Sequence, residues 1–500
     1  MSQSTDNNKP ASLAKNISYN ALISIISYLF SAFGLFYVSR VLQPEVYGRV
    51  EYADTVVRYF VLFAGLGMPV YALRACARCR DDKERLNRVY SELFTLGLVL
   101  ALIGSAVLTV LCFTVPLFIS YRSLLLIFGT TMLWKAVGCE WLYKGLERYR
   151  YLAIVTLVTR VISFVWIILA IHSPEDVNYY AVLSMISICG VGVINYCLLG
   201  KLVDHPFQLR FNWDHMKPLL IFFAMSCMSQ IYGGLDVVMI RAFKGDYETG
   251  LYGLIHKGKI LLAFFGSVIV SAVLPRVTAA WNRREQDRFR SIVKSSINLC
   301  CLINLSVMVF CVIYARDCVL LMGGEKYLAA VDTFRLTAIS VAPIGLSNIL
   351  SGLVMIPTGK ELKLLLVDIV GAVVNLVLNF YAIPKYSFDG AAMTTLFTEA
   401  LVMLLCLYFN SKIAGFRIRD MFPNFRIPLA CAIAAVPAWF VRNVGSKVLY
   451  RLTIGAIVFF GVYGIAAYLM KESTVREGVK IVFERLLGKK KRGEQAGDER

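Results

Sequence analysis

The chain has 500 residues, of which 58% are hydrophobic and only 17% charged, with a mean hydropathy of +0.65. No soluble domain needs so much apolar material to fill its core, so composition excludes a water-soluble globular protein and indicates a polytopic membrane protein. The formal net charge is +19, but without a soluble basic domain to carry it a nucleic-acid surface is a poor explanation.

The first 15 residues are polar and lack the build of a cleavable signal peptide, so the first span reads as its own uncleaved signal. Apolar runs of about 20 residues, each enough to cross ~30 Å of hydrocarbon as a helix, then recur along nearly the whole chain. They lie at 17–38, 54–73, 91–115, 124–143, 152–171, 179–199, 219–240, 251–274, 292–314, 333–356, 362–383, 390–409, 427–441 and 449–470. The pattern predicts an all-α membrane protein with about fourteen transmembrane helices.

Loop charge orients the chain. With the N-terminus in the cytoplasm, the loops at 74–88, 144–150, 201–217, 276–294, 360–363 and 412–426 hold about 24 Lys and Arg, against about 12 on the opposite side. Both ends then lie in the cytoplasm, and much of the net charge is a topology signal. The opposite loop at 172–178 has no Lys or Arg and carries Glu175 and Asp176. Beyond residue 470, Val479, Ile481, Val482, Phe483, Leu486 and Leu487 interleave with charge and lead into Lys489, Lys490, Lys491 and Arg492. Such an amphipathic basic tail suits anionic membrane lipids.

Several chemistries find no support. Most of the 13 cysteines fall within spans, where a free thiol behaves as a small hydrophobe. Cys76 and Cys79 have the spacing of half a zinc site, but no second Cys/His pair accompanies them. His172, His205, His215 and His256 are scattered and form no hydrolytic constellation. Nor does any phosphate-binding glycine loop occur, so the expectation is a protein without metal, cofactor or enzymatic activity.

A faint duplication runs through the chain. Tyr47-Gly48 and Tyr252-Gly253 open equivalent spans after Arg40 and Arg241, and Gly145-Leu146-Glu147 corresponds to Gly359-Lys360-Glu361. An even number of spans separates them, which predicts two six-helix lobes in parallel repeat with a path between them. The expected divisions are a tail at 1–15, an N-lobe at 16–205, a C-lobe at 206–411, two added helices at 412–470 and a basic tail at 471–500.

The segment Ser39-Arg40-Val41-Leu42, Glu45-Val46-Tyr47-Gly48, Tyr59-Phe60, Leu66-Gly67 and Arg74-Ala75-Cys76-Ala77 resembles the amino-terminal signature of the polysaccharide-export flippases. These are the O-antigen (Wzx-type) branch of the multidrug/oligosaccharidyl-lipid/polysaccharide superfamily. Trp141 to Glu147, Leu235-Asp236, Gly250 to Gly253 with Lys259, Leu274-Pro275-Arg276, Pro357 to Lys360, and Gly390-Ala391-Ala392 with Glu399 continue the resemblance in the family's order. Where many relatives carry an acidic residue just before the Trp, this chain has Cys139-Glu140. The last two spans lie outside the resemblance. It implies a V-shaped bundle that passes a polyprenyl (undecaprenyl)-diphosphate-linked oligosaccharide across the bacterial inner membrane, for O-antigen, capsule or exopolysaccharide synthesis. A polysaccharide polymerase and chain-length machinery are the partners it implies.

A charge at membrane depth costs several kcal/mol, about 2.5 to 3.5 on insertion scales, and so normally faces a protein interior or a wet cavity. The intramembrane cations Arg58, Lys135, Arg160, Lys257 and Lys259 are therefore candidates for the diphosphate or acidic sugars. Asp54, Glu140, Asp236, Asp368 and Glu399 are candidates for proton or ion coupling. Tyr28, Tyr37, Tyr59, Tyr232 and Tyr252 are candidates for stacking on sugar rings. The plainer expectation is static ion pairs, such as Lys259 with Asp236, and tyrosines as interfacial anchors.

Other functions share parts of this pattern. A multidrug or metabolite cation antiporter would have the same fold but an acidic cavity, whereas the intramembrane bases here equal the acids in number. A flippase for the peptidoglycan lipid precursor fits the residues as well. A membrane polysaccharide polymerase would need a large outer loop, and the longest one here, at 316–332, is short.

Overall fold

A computed structural model of the chain describes residues 13–204, 208–412, 421–472, 474–476 and 480, and every regular element among them is helical. The basic segment at 489–492 and His205 lie outside the described residues. The chain is an all-α membrane protein: nine helical stretches among the described residues are long and apolar enough to cross a membrane.

The helices end where local chemistry forbids their continuation. The first, α1 (Leu13–Gly65), is interrupted at Gln43, whose φ of 67° precedes Pro44. A residue before proline is pushed out of the helical region. Gly67, at φ 75°, then starts α2 (Met68–Arg78) with a proline in its first turn. The Asp82 side chain caps α3 (Lys83–Thr114) by accepting from the Arg85 amide at 3.0 Å. The short α4 (Pro116–Ile119) leads into α5 (Arg122–Val137), which stops at Cys139 with φ 42° before α6 (Glu140–Gly145). The sequence pattern treats 124–143 as one span, but the left-handed Cys139 divides it.

The chain continues through α7 (Tyr149–Ala170), α8 (Val177–Leu198), α9 (Met216–Phe243), α10 (Asp246–Asn282) and α11 (Gln286–Ile313). Next come α12 (Ala315–Gly323) and α13 (Val331–Leu350), which runs into a π-helical turn at Ser351–Met355. The 51 residues of α14 (Glu361–Ser411) would measure roughly 76 Å as a straight rod, over twice the ~30 Å of a hydrocarbon layer. The chain breaks instead at Ser387 (φ 55°), after Pro384, and the Thr394 hydroxyl returns to donate to the Asn379 side chain. Last come α15 (Arg426–Val441), of 16 residues, and α16 (Val448–Leu469).

The chain forms two compact units, Met1–Leu261 with Met322–Ala330 and Asp368–Thr394, and Leu262–Leu321 with Val331–Val367 and Thr395–Arg500. The first has a core around Met68, Tyr90, Leu93, Trp141 and Leu142. The second buries Phe289, Ile297, Leu350 and Leu353 in one cluster. Its other cluster packs α15 and α16 on Tyr314, whose hydroxyl donates to the Ala438 carbonyl at 2.9 Å.

Candidate functional site

Four polar residues of α1 recur at spacings of four, three and four: Tyr47, Glu51, Asp54 and Arg58. That spacing puts them on one helical face. The start of α10 lies across this face within the first unit, and glycines set the distance. A Cβ on Gly48 would fall 1.8 Å from the Asp246 carbonyl oxygen, and one on Gly250 1.7 Å from that of Pro44. A Cβ on Gly253 would lie 2.7 Å from Glu51 Cγ. Small residues let backbones approach in this way. The two Tyr-Gly pairs that mark the duplication, Tyr47-Gly48 and Tyr252-Gly253, thus both lie at one crossing.

The crossing brings opposite charges together inside the unit. Lys257 Nζ is 2.5 Å from Glu51 Oε2, and Arg58 Nη2 is 2.5 Å from Asp54 Oδ2 and 3.7 Å from Glu51 Oε1. The Tyr47 hydroxyl donates to Glu51 Oε2 at 3.4 Å, and its ring lies 5.4 Å from the Lys257 ammonium. Glu51 is 1% exposed, so its charge is tolerable only because these partners surround it.

Two cavities adjoin this network. One, of about 320 Å³, is lined by Asp54, Arg160, Lys257, Tyr180 and Ser184 together with Phe30, Phe128 and Phe164. A smaller one, of about 30 Å³, is lined by Glu51, Arg58, Tyr59 and His256. Three cations and two carboxylates therefore border the pair. Such a wall can hold an anion by charge-assisted hydrogen bonds while hydroxyl groups and rings meet an uncharged portion.

The candidates from sequence separate into groups. Arg58, Arg160, Lys257, Asp54 and Tyr59 border the cavities, and the buried Tyr59 hydroxyl has no hydrogen-bond partner among the described residues. Lys135 is exposed in the last turn of α5, and Lys259 forms no ion pair among the described residues. Asp236 is buried, receives the Tyr252 hydroxyl and the Val237 amide (3.0 Å), and stands 3.8 Å from His256 Nδ1. It is therefore occupied by groups other than Lys259. Glu140 is exposed and pairs with Lys144 at 2.7 Å. Asp368 is half-buried in the first unit and Glu399 buried in the second. Tyr37 donates to the Ile171 carbonyl at 2.6 Å. The side chains of Tyr28 and Tyr232 lie outside the described residues.

Sequence reasoning missed Glu51 and Tyr180. The signal for Glu51 was its register with Tyr47, Asp54 and Arg58. A further cluster also escaped notice: Asp246 takes Arg49 at 3.4 Å and Arg241 at 3.2 Å, and Tyr121 donates to it while accepting from Arg241 at 2.6 Å. This clasp ties the starts of α5 and α10 and the end of α9 to α1. Among the described residues no group of three His, Cys, Asp or Glu side chains is placed to hold a metal, and the described cysteines are free thiols.

Known proteins share both the sequence and the architecture. The family described as MatE matches residues 222–381. A protein of Shigella dysenteriae named "Putative O-antigen transporter" is 25% identical over 79% of this chain and 99% of its own length. The "Capsular polysaccharide biosynthesis protein CapF" of Staphylococcus aureus is 21% identical over 80% of this chain and all of its own. Among solved structures, the lipid II flippase MurJ in an inward closed conformation superposes with a TM-score of 0.72 at 12% identity, over 91% of this chain and 98% of that one. An inward-facing multidrug resistance MATE family transporter of the MOP superfamily gives 0.59 at 16% identity, over 81% and 98%. These likenesses show the fold. The family described as polysaccharide biosynthesis protein matches residues 13–281, more than half of the chain, and the chain belongs to that family.

Proposed function

We propose that this protein is a flippase that moves a polyprenyl-diphosphate-linked oligosaccharide from the inner to the outer leaflet of the bacterial cytoplasmic membrane. The observation that carries the reading is the cavity bordered by Lys257, Arg160 and Asp54, with Arg58 beside it, inside the first helical unit. A diphosphate and a row of hydroxyls do not cross ~30 Å of hydrocarbon unaided, because protein groups must replace their hydration. Cations meet the diphosphate, tyrosines and serines meet the sugar, and the prenyl chain stays in lipid. The names of relatives from O-antigen, capsule and glycan synthesis agree with this substrate class.

The path runs between an N-lobe at 16–205 and a C-lobe at 206–411 and works by alternating access, with both termini in the cytoplasm. The translocated unit passes on to a polymerase and its chain-length partners. Asp236 is the carboxylate proposed to couple transport to protons, since it is buried and lies against His256 and the Tyr252 hydroxyl.

The test is reconstitution in proteoliposomes with a fluorescent polyprenyl-diphosphate oligosaccharide, following the rate at which the headgroup becomes accessible on the far side. Acceleration by the wild type that Arg58→Ala and Lys257→Ala lose is the expected result. Antiport of a cationic dye or drug, with no acceleration for any sugar lipid, would move the protein to the multidrug branch.

A further inference from the structure

One stretch of the sequence resemblance, Leu274-Pro275-Arg276, belongs to the second unit and leads into the turn from α10 to α11. Between residues 276 and 294 six Arg and Lys stand against two carboxylates, Glu285 and Asp287. Two cavities flank the end of α10, and Ala280 is in the wall of both. The larger, of about 420 Å³, has Trp281 and Arg284 in its lining; the smaller, of about 250 Å³, has Arg276, Arg283, Glu285 and Arg288, and Asp287 lines neither. Arg288 pairs with Glu285 at 3.0 Å, but the exposed Arg276, Arg283 and Arg284 form no ion pair among the described residues.

The backbone holds one of these cations where local preference would not put it. The Arg284 amide donates to the Trp281 carbonyl at 2.9 Å and the Glu285 amide to that of Ala280 at 3.0 Å, the pairing of a Schellman helix end. The left-handed residue of such an end is usually glycine, yet here it is Arg284, at φ 60°. The Trp281 ring packs on Phe289 with centroids 5.2 Å apart, which ties the turn to α11. Tryptophan favours headgroup level. Residues 275–282 carry α10 past the apolar run at 251–274 by about 12 Å, through a headgroup layer roughly 5–8 Å thick.

We propose that this turn binds a phospholipid carrying two phosphates, of the diphosphatidylglycerol type, from the inner leaflet. With the cytoplasmic termini proposed above, the turn faces that leaflet. Arg284 meets one phosphate in the larger cavity, while Arg276 and Arg283 meet the other in the smaller. Guanidinium groups take phosphate oxygens two at a time, and basic pockets at the cytoplasmic ends of membrane helices suit such headgroups. A lipid with a single phosphate fills one cavity only and gains nothing from the second. The site stands whether or not the first unit flips a saccharide lipid.

The test places the full chain in nanodiscs of neutral phosphatidylcholine, alone or with diphosphatidylglycerol or phosphatidylglycerol at matched phosphate content. Melting temperature and the lipid retained in native mass spectrometry are measured. Diphosphatidylglycerol should raise the melting temperature and be retained at least ~10-fold more than phosphatidylglycerol, because its two phosphates are linked. Arg283→Gln combined with Arg284→Gly should lose that preference; glycine suits the left-handed position, so the turn is expected to keep its fold. Replacing Lys489, Lys490, Lys491 and Arg492 by Gln should leave the preference intact. Loss of retention in that tail variant alone, equal retention of the two lipids, or no retention by wild type overturns the proposal. An equal melting shift from inorganic phosphate or pyrophosphate in neutral nanodiscs also overturns it, since the source would then be a soluble anion. Neither readout uses transport, so a failure of the flippase reading leaves this result to stand or fall separately.

Discussion

Lys257 and Lys259 lie two residues apart on α10, yet only Lys257 reaches the α1 face, where it meets Glu51 at 2.5 Å and lines the larger cavity. Two residues along a helix correspond to about 200° of rotation, so the pair cannot share one wall. Lys257→Ala should lower the rate of flipping about 10- to 100-fold, the equivalent of one charge-assisted hydrogen bond of ~1.5–3 kcal/mol. Lys259→Ala should stay within about threefold of wild type, since it removes no such bond. Initial rates in proteoliposomes at matched protein content decide the matter, and equal losses in the two variants would refute this division of roles.

The crossing of α1 and α10 should tolerate no added side chain. Gly250→Ala and Gly48→Ala each drive a methyl group into a carbonyl oxygen of the other helix, and overpacking of this kind costs about 1–3 kcal/mol. Both variants should melt lower than wild type in detergent. Gly34→Ala serves as the control, because a Cβ there meets nothing within 4 Å.

In the second unit, Arg451 grips Asp317 through Nη2 at 2.6 Å and Nε at 2.8 Å, with both side chains largely buried. Removing one partner strands a charge, so Asp317→Ala and Arg451→Ala should each destabilise by ~3–5 kcal/mol. The double variant should lose clearly less than the sum. A double-mutant cycle on melting data measures the difference, and strict additivity would show that the two groups act independently.

Proton coupling through Asp236 makes a separable prediction. An imposed pH gradient should accelerate the wild type, and Asp236→Asn should flip at a rate indifferent to that gradient. Tyr252→Phe removes the hydroxyl that donates to Asp236 and should weaken the response without abolishing it. A gradient response intact in Asp236→Asn would assign the coupling elsewhere.

Much of the architecture is legible in the sequence because lipid is a demanding solvent. A run of apolar residues long enough to cross it reads directly as a helix, and an ionisable residue within such a run stands out. That logic finds Arg58, Arg160, Lys257 and Asp54, which the fold collects around one pair of cavities. It misses Glu51 because hydropathy starts the second span at Asp54, whereas the helix already resumes after Gln43 and the glycine crossing buries Tyr47 and Glu51. Pairing is less legible still. Charge alone matches Asp236 with Lys259, but on α10 it is Tyr252 and His256 that face Asp236. Facing is a matter of helix rotation, which a window average discards.

The sixteen residues of α15 have a bearing on the lipid itself. At 1.5 Å per residue the helix is roughly 24 Å long, about 6 Å short of an average hydrocarbon thickness. Its far end carries Trp439 with the Arg442 guanidinium 3.5 Å from the ring centroid, a pair suited to holding the headgroup level rather than sinking below it. Were α15 to cross the membrane, the bilayer would thin around it or the flanking Arg426 and Arg442 would snorkel to the headgroups, and acyl chain length would become a variable in the protein's stability. Vesicles of fourteen- or sixteen-carbon lipids should support higher melting temperatures than vesicles of twenty-two-carbon lipids, at a cost of fractions of a kcal/mol per Å of mismatch.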